Sequence, residues 1–160
     1  ARDLHDDEAV ERELLRLAVR VSADLRMQAL RARTVTVKLR DADFKTRSAQ
    51  RTISLPIESE QSVARVARSL LRMLRARRRV GVRLLGIALS HFDSEDAVYA
   101  HAQLTLFTPP APTSQDNPAE GVKERALTKA LDAIRGRFGT RAILPASLVA
   151  PADTGPRVEE

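Results

Sequence analysis

Cysteine is absent from the 160-residue chain, which excludes disulfides and thiolate metal sites. Aromatic residues make up 3% of it, with one tyrosine and no tryptophan. A core or binding platform built on rings is thereby disfavoured, including the mode in which single-strand binders stack successive bases on aromatic side chains. No apolar run approaches membrane-spanning length, and the acidic opening (Asp3, Asp6, Asp7, Glu8) is unlike a signal peptide. A cytoplasmic protein with no membrane partner and no small-molecule substrate is the expectation. No glycine-rich phosphate loop or nucleophile constellation occurs. His5, His91 and His101 are scattered without ligand spacing, as surface histidines are. The chain opens at Ala1 with no methionine, which suggests a piece of a longer protein.

What the chain does have is apolar bulk and cationic charge. Its length suits one ordinary domain plus a tail. Hydrophobic residues at 43% allow a core, and charged residues at 30% make the surface ionic. Lys and Arg number 27 against 21 Asp and Glu, a net charge of +6. A cationic chain attracts polyanions, nucleic acid above all. The excess is arginine, whose fork suits phosphate. Composition alone is served equally well by a solvated Arg-rich surface.

Periodicity divides the chain. Over residues 6–30, Val10, Leu14, Leu17, Ala18, Val21 and Leu25 recur at three- and four-residue steps, predicting a helix with one apolar stripe. Residues 34–40 then alternate strictly. Val35, Val37 and Leu39 face a core, and Thr34, Thr36, Lys38 and Arg40 face away together. A break at Asp41-Ala42-Asp43 leads to a second strand over 48–55, with Ile53 and Leu55 inward and Ser48, Gln50, Thr52 and Ser54 outward. A second helix spans 62–77, and its cationic last turn complements the helix dipole. A third strand covers 82–90, with Leu85, Ile87 and Leu89 on one face and Gly86, Ala88 and Ser90 on the other. Helix, strand, strand, helix, strand predicts a two-layer α+β domain, a mostly antiparallel sheet with both helices on one face. The uncovered face is small and polar, which fits a binding surface or a merely solvated one. Residues 108–121 read as a Pro/Ser/Asn linker, 122–138 as a last helix stopped by Gly139, and the end as a disordered tail.

Some of these residues are more specific. Arg33 to Arg40 followed by Asp43-Phe44, Leu55-Pro56 and Gly81-Val82-Arg83-Leu84-Leu85-Gly86-Ile87 resembles the little-finger domain of bacterial Y-family DNA polymerases of the DinB, or polymerase IV, type. Asp3-Leu4 resembles the segment that follows that domain's first strand. Between Asp43-Phe44 and Leu55-Pro56 this chain is about two residues longer than the family pattern. The resemblance covers residues 1–92 and implies a four-stranded sheet, its first strand upstream of Ala1, backed by two helices and laid on the phosphates of a primer-template duplex. It implies DNA contacts from Thr34, Thr36, Lys38, Arg40, Arg47, Ser48, Gln50, Arg51, Thr52 and Ser90, with main-chain amides near Gly86. Arg83 has the parity of buried Leu85 and Ile87, so it would reach DNA from the strand's edge. Backbone contacts suit a translesion polymerase, which must hold any template.

Within 93–121, Gln103-Leu104-Thr105-Leu106-Phe107 matches the bacterial sliding-clamp pentapeptide Q-L-x-L-F. Leu104, Leu106 and Phe107 would fill an apolar cleft while the Gln103 amide sets register; the alternative is a short strand or core clip. Residues 130–139 resemble a C-terminal extension of many family members, within a helical segment at 122–144, and 145–160 complete the tail. The family's catalytic carboxylates hold metal ions, Mg in the parent enzyme, in a palm domain that this chain lacks, so the chain alone carries no catalytic residue, metal site or cofactor. Asp41 and Asp43 read as turn residues. The expected function is the duplex-gripping, clamp-tethering region of a translesion polymerase, nucleoid-associated in the cell. A catalytically inactive relative acting as clamp adaptor and a stand-alone basic RNA-binding module are the alternatives.

Overall fold

The apolar stripes of two helices close over one face of a three-stranded antiparallel sheet in the computed structural model, which describes residues 6–94 and 121–149. The first helix, α1, spans Asp7–Met27. The Asp6 carboxylate caps it by accepting from the Glu8 N–H at 3.1 Å, and Asp7 and Glu8 place negative charge at its positive end. Val10, Leu14, Ala18 and Leu25 are buried along its stripe. Ala29 then takes a left-handed φ of 51° and turns the chain into the sheet.

The strands are β1 (Leu30–Asp41), β2 (Thr46–Ile57) and β3 (Val82–Ser94), in the order β2-β1-β3. The fold is therefore the α+β arrangement read from periodicity. The first of the four expected strands has no counterpart among the described residues. As the central strand, β1 has its inward Val35, Val37 and Leu39 fully buried, where truncating one such leucine costs about 2–5 kcal/mol. The second helix, α2 (Glu60–Arg77), starts at Ser59, whose hydroxyl accepts from the Ser62 N–H at 3.1 Å. It packs Val63, Val66, Ala67, Leu70, Leu71 and Leu74 into the same core. None of the described helices is long and apolar enough to cross a membrane.

Two differences from the periodic reading have local causes. β1 begins at Leu30 rather than 34, because the positions in phase with Val35 there are arginines and leave no alternation to read. Arg31 and Arg33 are neutralised by Glu58 at 3.3 Å and Asp93 at 2.5 Å. On β2, pairing is regular from Thr46 opposite Arg40 to Thr52 opposite Thr34. It then slips, so that Ala32 faces Ile57. This irregularity reverses the expected facing of Leu55, which is 51% exposed while Pro56 and Ile57 are buried.

The turn between β1 and β2 is held by a buried carboxylate. Asp41 is fully buried and accepts two hydrogen bonds from Arg47, at 2.9 and 2.8 Å, and one from Arg78 at 3.2 Å. Arg47 also donates to the Leu74 carbonyl in the last turn of α2, where helix carbonyls lack partners of their own. The Ala42 N–H donates to Gly81 O at 2.8 Å, bringing in the start of β3.

The third helix, α3 (Val122–Phe138), matches its predicted extent. It docks against the start of α2. Asp132 accepts from Arg26 at 2.5 and 2.8 Å, Arg135 donates to Glu60 at 2.8 and 3.3 Å, and Glu124 accepts from the hydroxyls of Ser59 and Ser62. The Glu60 fork holds the Arg135 guanidinium above its ordinary pKa. Beyond it, in a stretch expected to be disordered, Ala146–Leu148 forms a 3-10 turn whose Leu148 packs on the core.

Replacing Asp41 with alanine leaves the partly buried Arg47 guanidinium without its counter-charge and takes one of two carboxylates from Arg78. Asp41→Ala is expected to lower the unfolding free energy by about 3–5 kcal/mol, measured by denaturant unfolding; a loss below about 1 kcal/mol would show that the knot is not structural.

Candidate nucleic-acid interface

Alternation along three paired strands sorts side chains into two faces. With one face buried, the register places the outward residues in rungs: Thr52–Thr34–Ser90, Gln50–Thr36–Ala88, Ser48–Lys38–Gly86 and Thr46–Arg40–Leu84. No rung holds an acidic residue. Lys38, Arg40, Thr46, Ser48, Gln50, Thr52, Leu84 and Ala88 are exposed, and Thr36, Gly86 and Ser90 half-buried. The result is a low surface of hydroxyls, one amide and a glycine, with its cations gathered toward the β1–β2 turn.

Thr34 belongs to the first rung but is sealed there at 1% exposure. Its hydroxyl lies 2.8 Å from the Thr52 hydroxyl and 3.0 Å from Nδ1 of His91. It therefore ties strands together instead of facing outward. His91, read from sequence as an isolated surface histidine, reaches it because its own φ is 55°, left-handed within β3.

The structure does not bring Arg47 and Arg51 to this face. Opposite Leu39 and Val35, and in phase with the buried Ile53, both belong to the other side of β2. Arg47 is engaged by Asp41, and Arg51 is half-buried. The alternation that sets Ser48, Gln50 and Thr52 outward already places Arg47 and Arg51 in phase with Ile53; their expected DNA contacts rested on the resemblance alone. Thr46, in phase with Ser48, was legible from the same alternation.

Arg83 does reach the outer end, through a second irregularity. Arg40 pairs with Leu84 but Asp41 pairs with Val82, so Arg83 is the extra residue between them. Its guanidinium sits 4.7 Å from the centroid of the Phe44 ring, and that of Arg40 at 5.2 Å. In the sequence Phe44 stands out only as part of the Asp43-Phe44 pair.

Asp43 takes both terminal nitrogens of Arg78, at 3.1 and 2.7 Å. That fork holds the Asp43 carboxyl below its ordinary range. With Asp41 and Asp43 both engaged by arginines, the pair does not fit a catalytic two-metal site, and no step of polymerisation is assigned to these residues. Gln103, Leu104, Leu106 and Phe107 lie outside the described residues.

Gly86 sits in the middle of the face. A Cβ built on it meets nothing within 4 Å, and its φ is not left-handed. The fold therefore has no steric need for glycine there, although glycine inside a strand is unfavourable.

A family model for the impB/mucB/samB family C-terminal domain matches residues 1–106. "DNA polymerase IV" of Caulobacter vibrioides is 32% identical over 142 residues, 89% of this chain and 31% of that protein. "DNA polymerase IV 2" of Mesorhizobium japonicum is 33% identical over 132 residues, covering 81% of this chain and 31% of the relative. "DNA polymerase IV" of Desulfatibacillum aliphaticivorans is 30% identical over 148 residues, or 92% and 34%. The chain thus spans about a third of the length of the curated relatives it matches.

If the fold alone governs residue 86, β-branched replacement should not harm it. Gly86→Val is expected to leave the thermal midpoint unchanged or raise it by a few degrees, as removing about 0.5–1 kcal/mol of glycine penalty would. A clear fall in midpoint would mean that the fold itself requires the glycine.

Proposed function

The chain belongs to the impB/mucB/samB family of C-terminal domains, the C-terminal region of Y-family polymerases, and from that premise we propose that its outer sheet face grips the phosphate backbone of primer-template duplex DNA. The parent protein is then a translesion polymerase whose chemistry lies in other parts of a longer chain. The observation that carries the reading is the outer face itself, four rungs without a carboxylate, short enough for a duplex to approach and bearing Lys38 and Arg40.

The residue types suit a grip that ignores sequence. Reading bases needs long side chains that reach groove edges with matched donors and acceptors. Thr36, Ser48, Gln50, Thr52 and Ser90 are short or neutral and suit phosphate oxygens, and Lys38, Arg40 and Arg83 add attraction without base information. A duplex carries one charge per about 1.7 Å of axis, so few cations suffice for a salt-dependent hold that slides. Gly86 would let the backbone come close at the centre of the face.

The second part of the proposal is a tether. Gln103-Leu104-Thr105-Leu106-Phe107 is read as a peptide that inserts Leu104, Leu106 and Phe107 into the apolar cleft of a bacterial sliding clamp. A weak, sequence-blind duplex grip gains residence on DNA when joined to a ring that encircles it, because the second contact becomes intramolecular.

The two parts separate experimentally. Lys38→Ala with Arg40→Ala is expected to weaken duplex binding equally for unrelated sequences and to lower the log–log salt slope by about 2. Gly86→Val should weaken the same binding; a sequence-dependent loss, or none, would contradict the phosphate grip. Alanine at Gln103, Leu106 and Phe107 should abolish clamp binding in a pull-down or calorimetric titration while duplex affinity stays as in the parent chain. Retained clamp binding would rule out the tether.

A further inference from the structure

Phe44 is a residue whose conformation and surroundings the fold does not explain. It is 56% exposed and has a φ of 66°, a left-handed backbone that bulky residues rarely adopt and that glycine or asparagine takes readily. Across the turn the Phe44 N–H donates to Asp41 O at 2.9 Å and the Asp41 N–H to Lys45 O at 2.9 Å, bonds in which the phenyl group takes no part. The ring is not part of the buried core. A glycine would make the same turn without strain, so the phenyl group serves something else.

Its ring contacts are the guanidiniums of Arg40 and Arg83. The neighbouring arginines are arranged differently: Arg47 and Arg78 are held by Asp41 and Asp43. Among the described residues neither Arg40 nor Arg83 has a carboxylate partner, so both retain their charge and donors for an external anion. Arg40 comes from the last rung and Arg83 from the irregularity of β3. They share the ring although they arise from different strands.

We propose that Phe44 is a positioning residue, an exposed ring that gathers Arg40 and Arg83 into a preformed clamp for backbone phosphate at the turn end of the sheet. This rests on the duplex-gripping reading above and refines it. The physical reason is entropic. A free arginine samples many rotamers and loses them on binding, whereas one already stacked on an aromatic face loses fewer. Cation–π contact at an exposed site is weak but sufficient to bias rotamers. The ring adds no charge of its own, so its removal should lower affinity while leaving the number of phosphates neutralised unchanged.

The test is a thermodynamic cycle on the full 160-residue chain with duplex DNA, read by fluorescence anisotropy across a salt series. Phe44→Gly suits the left-handed turn and should leave the thermal midpoint unchanged or raised. It is expected to weaken duplex binding about 5- to 10-fold with an unchanged salt slope, and Phe44→Tyr, which keeps the ring, should bind as the parent does. In an Arg40→Gln, Arg83→Gln background, Phe44→Gly should have no further effect. An equal loss in that background would mean that the ring touches DNA directly, as in base stacking, and would overturn the positioning role. Parent-like affinity of Phe44→Gly would overturn it too, while leaving the duplex grip standing if Lys38→Ala still weakens binding. If neither change matters, the grip itself is wrong.

Discussion

The Asp41 carboxylate is the constraint around which the domain closes. It is fully buried at the end of the central strand, and two arginines from different parts of the chain meet on it. Through Arg47 it ties β1 to β2 and to the last turn of α2, and through Arg78 it fixes the link from α2 to β3. A buried charge with its partners removed is strongly unfavourable, so the knot is directional even where its net stabilisation is modest. It also sorts the cations. Arginines that could have crowded the outer face are drawn beneath it, leaving Lys38, Arg40 and Arg83 as the positive charges around the last two rungs.

A second polar cluster does comparable work at the opposite end of α2. Ser59 caps that helix through its hydroxyl oxygen and gives its proton to Glu124, so both capacities of the group are used. Glu60 beside it is paired with Arg135, and Arg26 bridges Asp132 to the Glu58 carbonyl. Helix α3 is thereby seated on the domain by charged and hydroxyl contacts more than by apolar ones, in keeping with its exposed Leu127, Ile134 and Phe138. Such contacts specify orientation: each fork accepts one partner geometry, whereas an apolar stripe can slide.

Where the outer face departs from what a strand prefers, it does so in one direction. Gly86 gives up side-chain packing with open space above it, Phe44 holds a left-handed backbone with its ring in solvent, and Leu84 is 54% exposed beside Arg40. A sequence selected for stability alone would have valine, glycine and threonine at those places. On the inner face of the central strand Val35, Val37 and Leu39 are fully buried. These departures fall on the side proposed above to meet DNA.

Periodicity by itself determined the layer arrangement, because burial on one face must repeat every two residues in a strand and every three to four in a helix. Val35-Thr36-Val37-Lys38-Leu39 could be nothing but a half-buried strand, and the stripes of α1, α2 and α3 were legible in the same way. The identity of Lys38 and Arg40 as outward cations followed from that alternation alone. Where Leu55 and Arg83 face could not follow, since one slip in register exchanges the faces, and the irregularities near Ala32 and Arg40 are set by pairing between strands distant in sequence. Only the folded chain decided that Arg47 turns inward to Asp41, that Thr34 is sealed by Thr52 and His91, that Leu55 faces solvent, and that Arg83 meets Arg40 across Phe44. Those outcomes depend on which charge finds which counter-charge in space, and spacing along the chain does not carry that information.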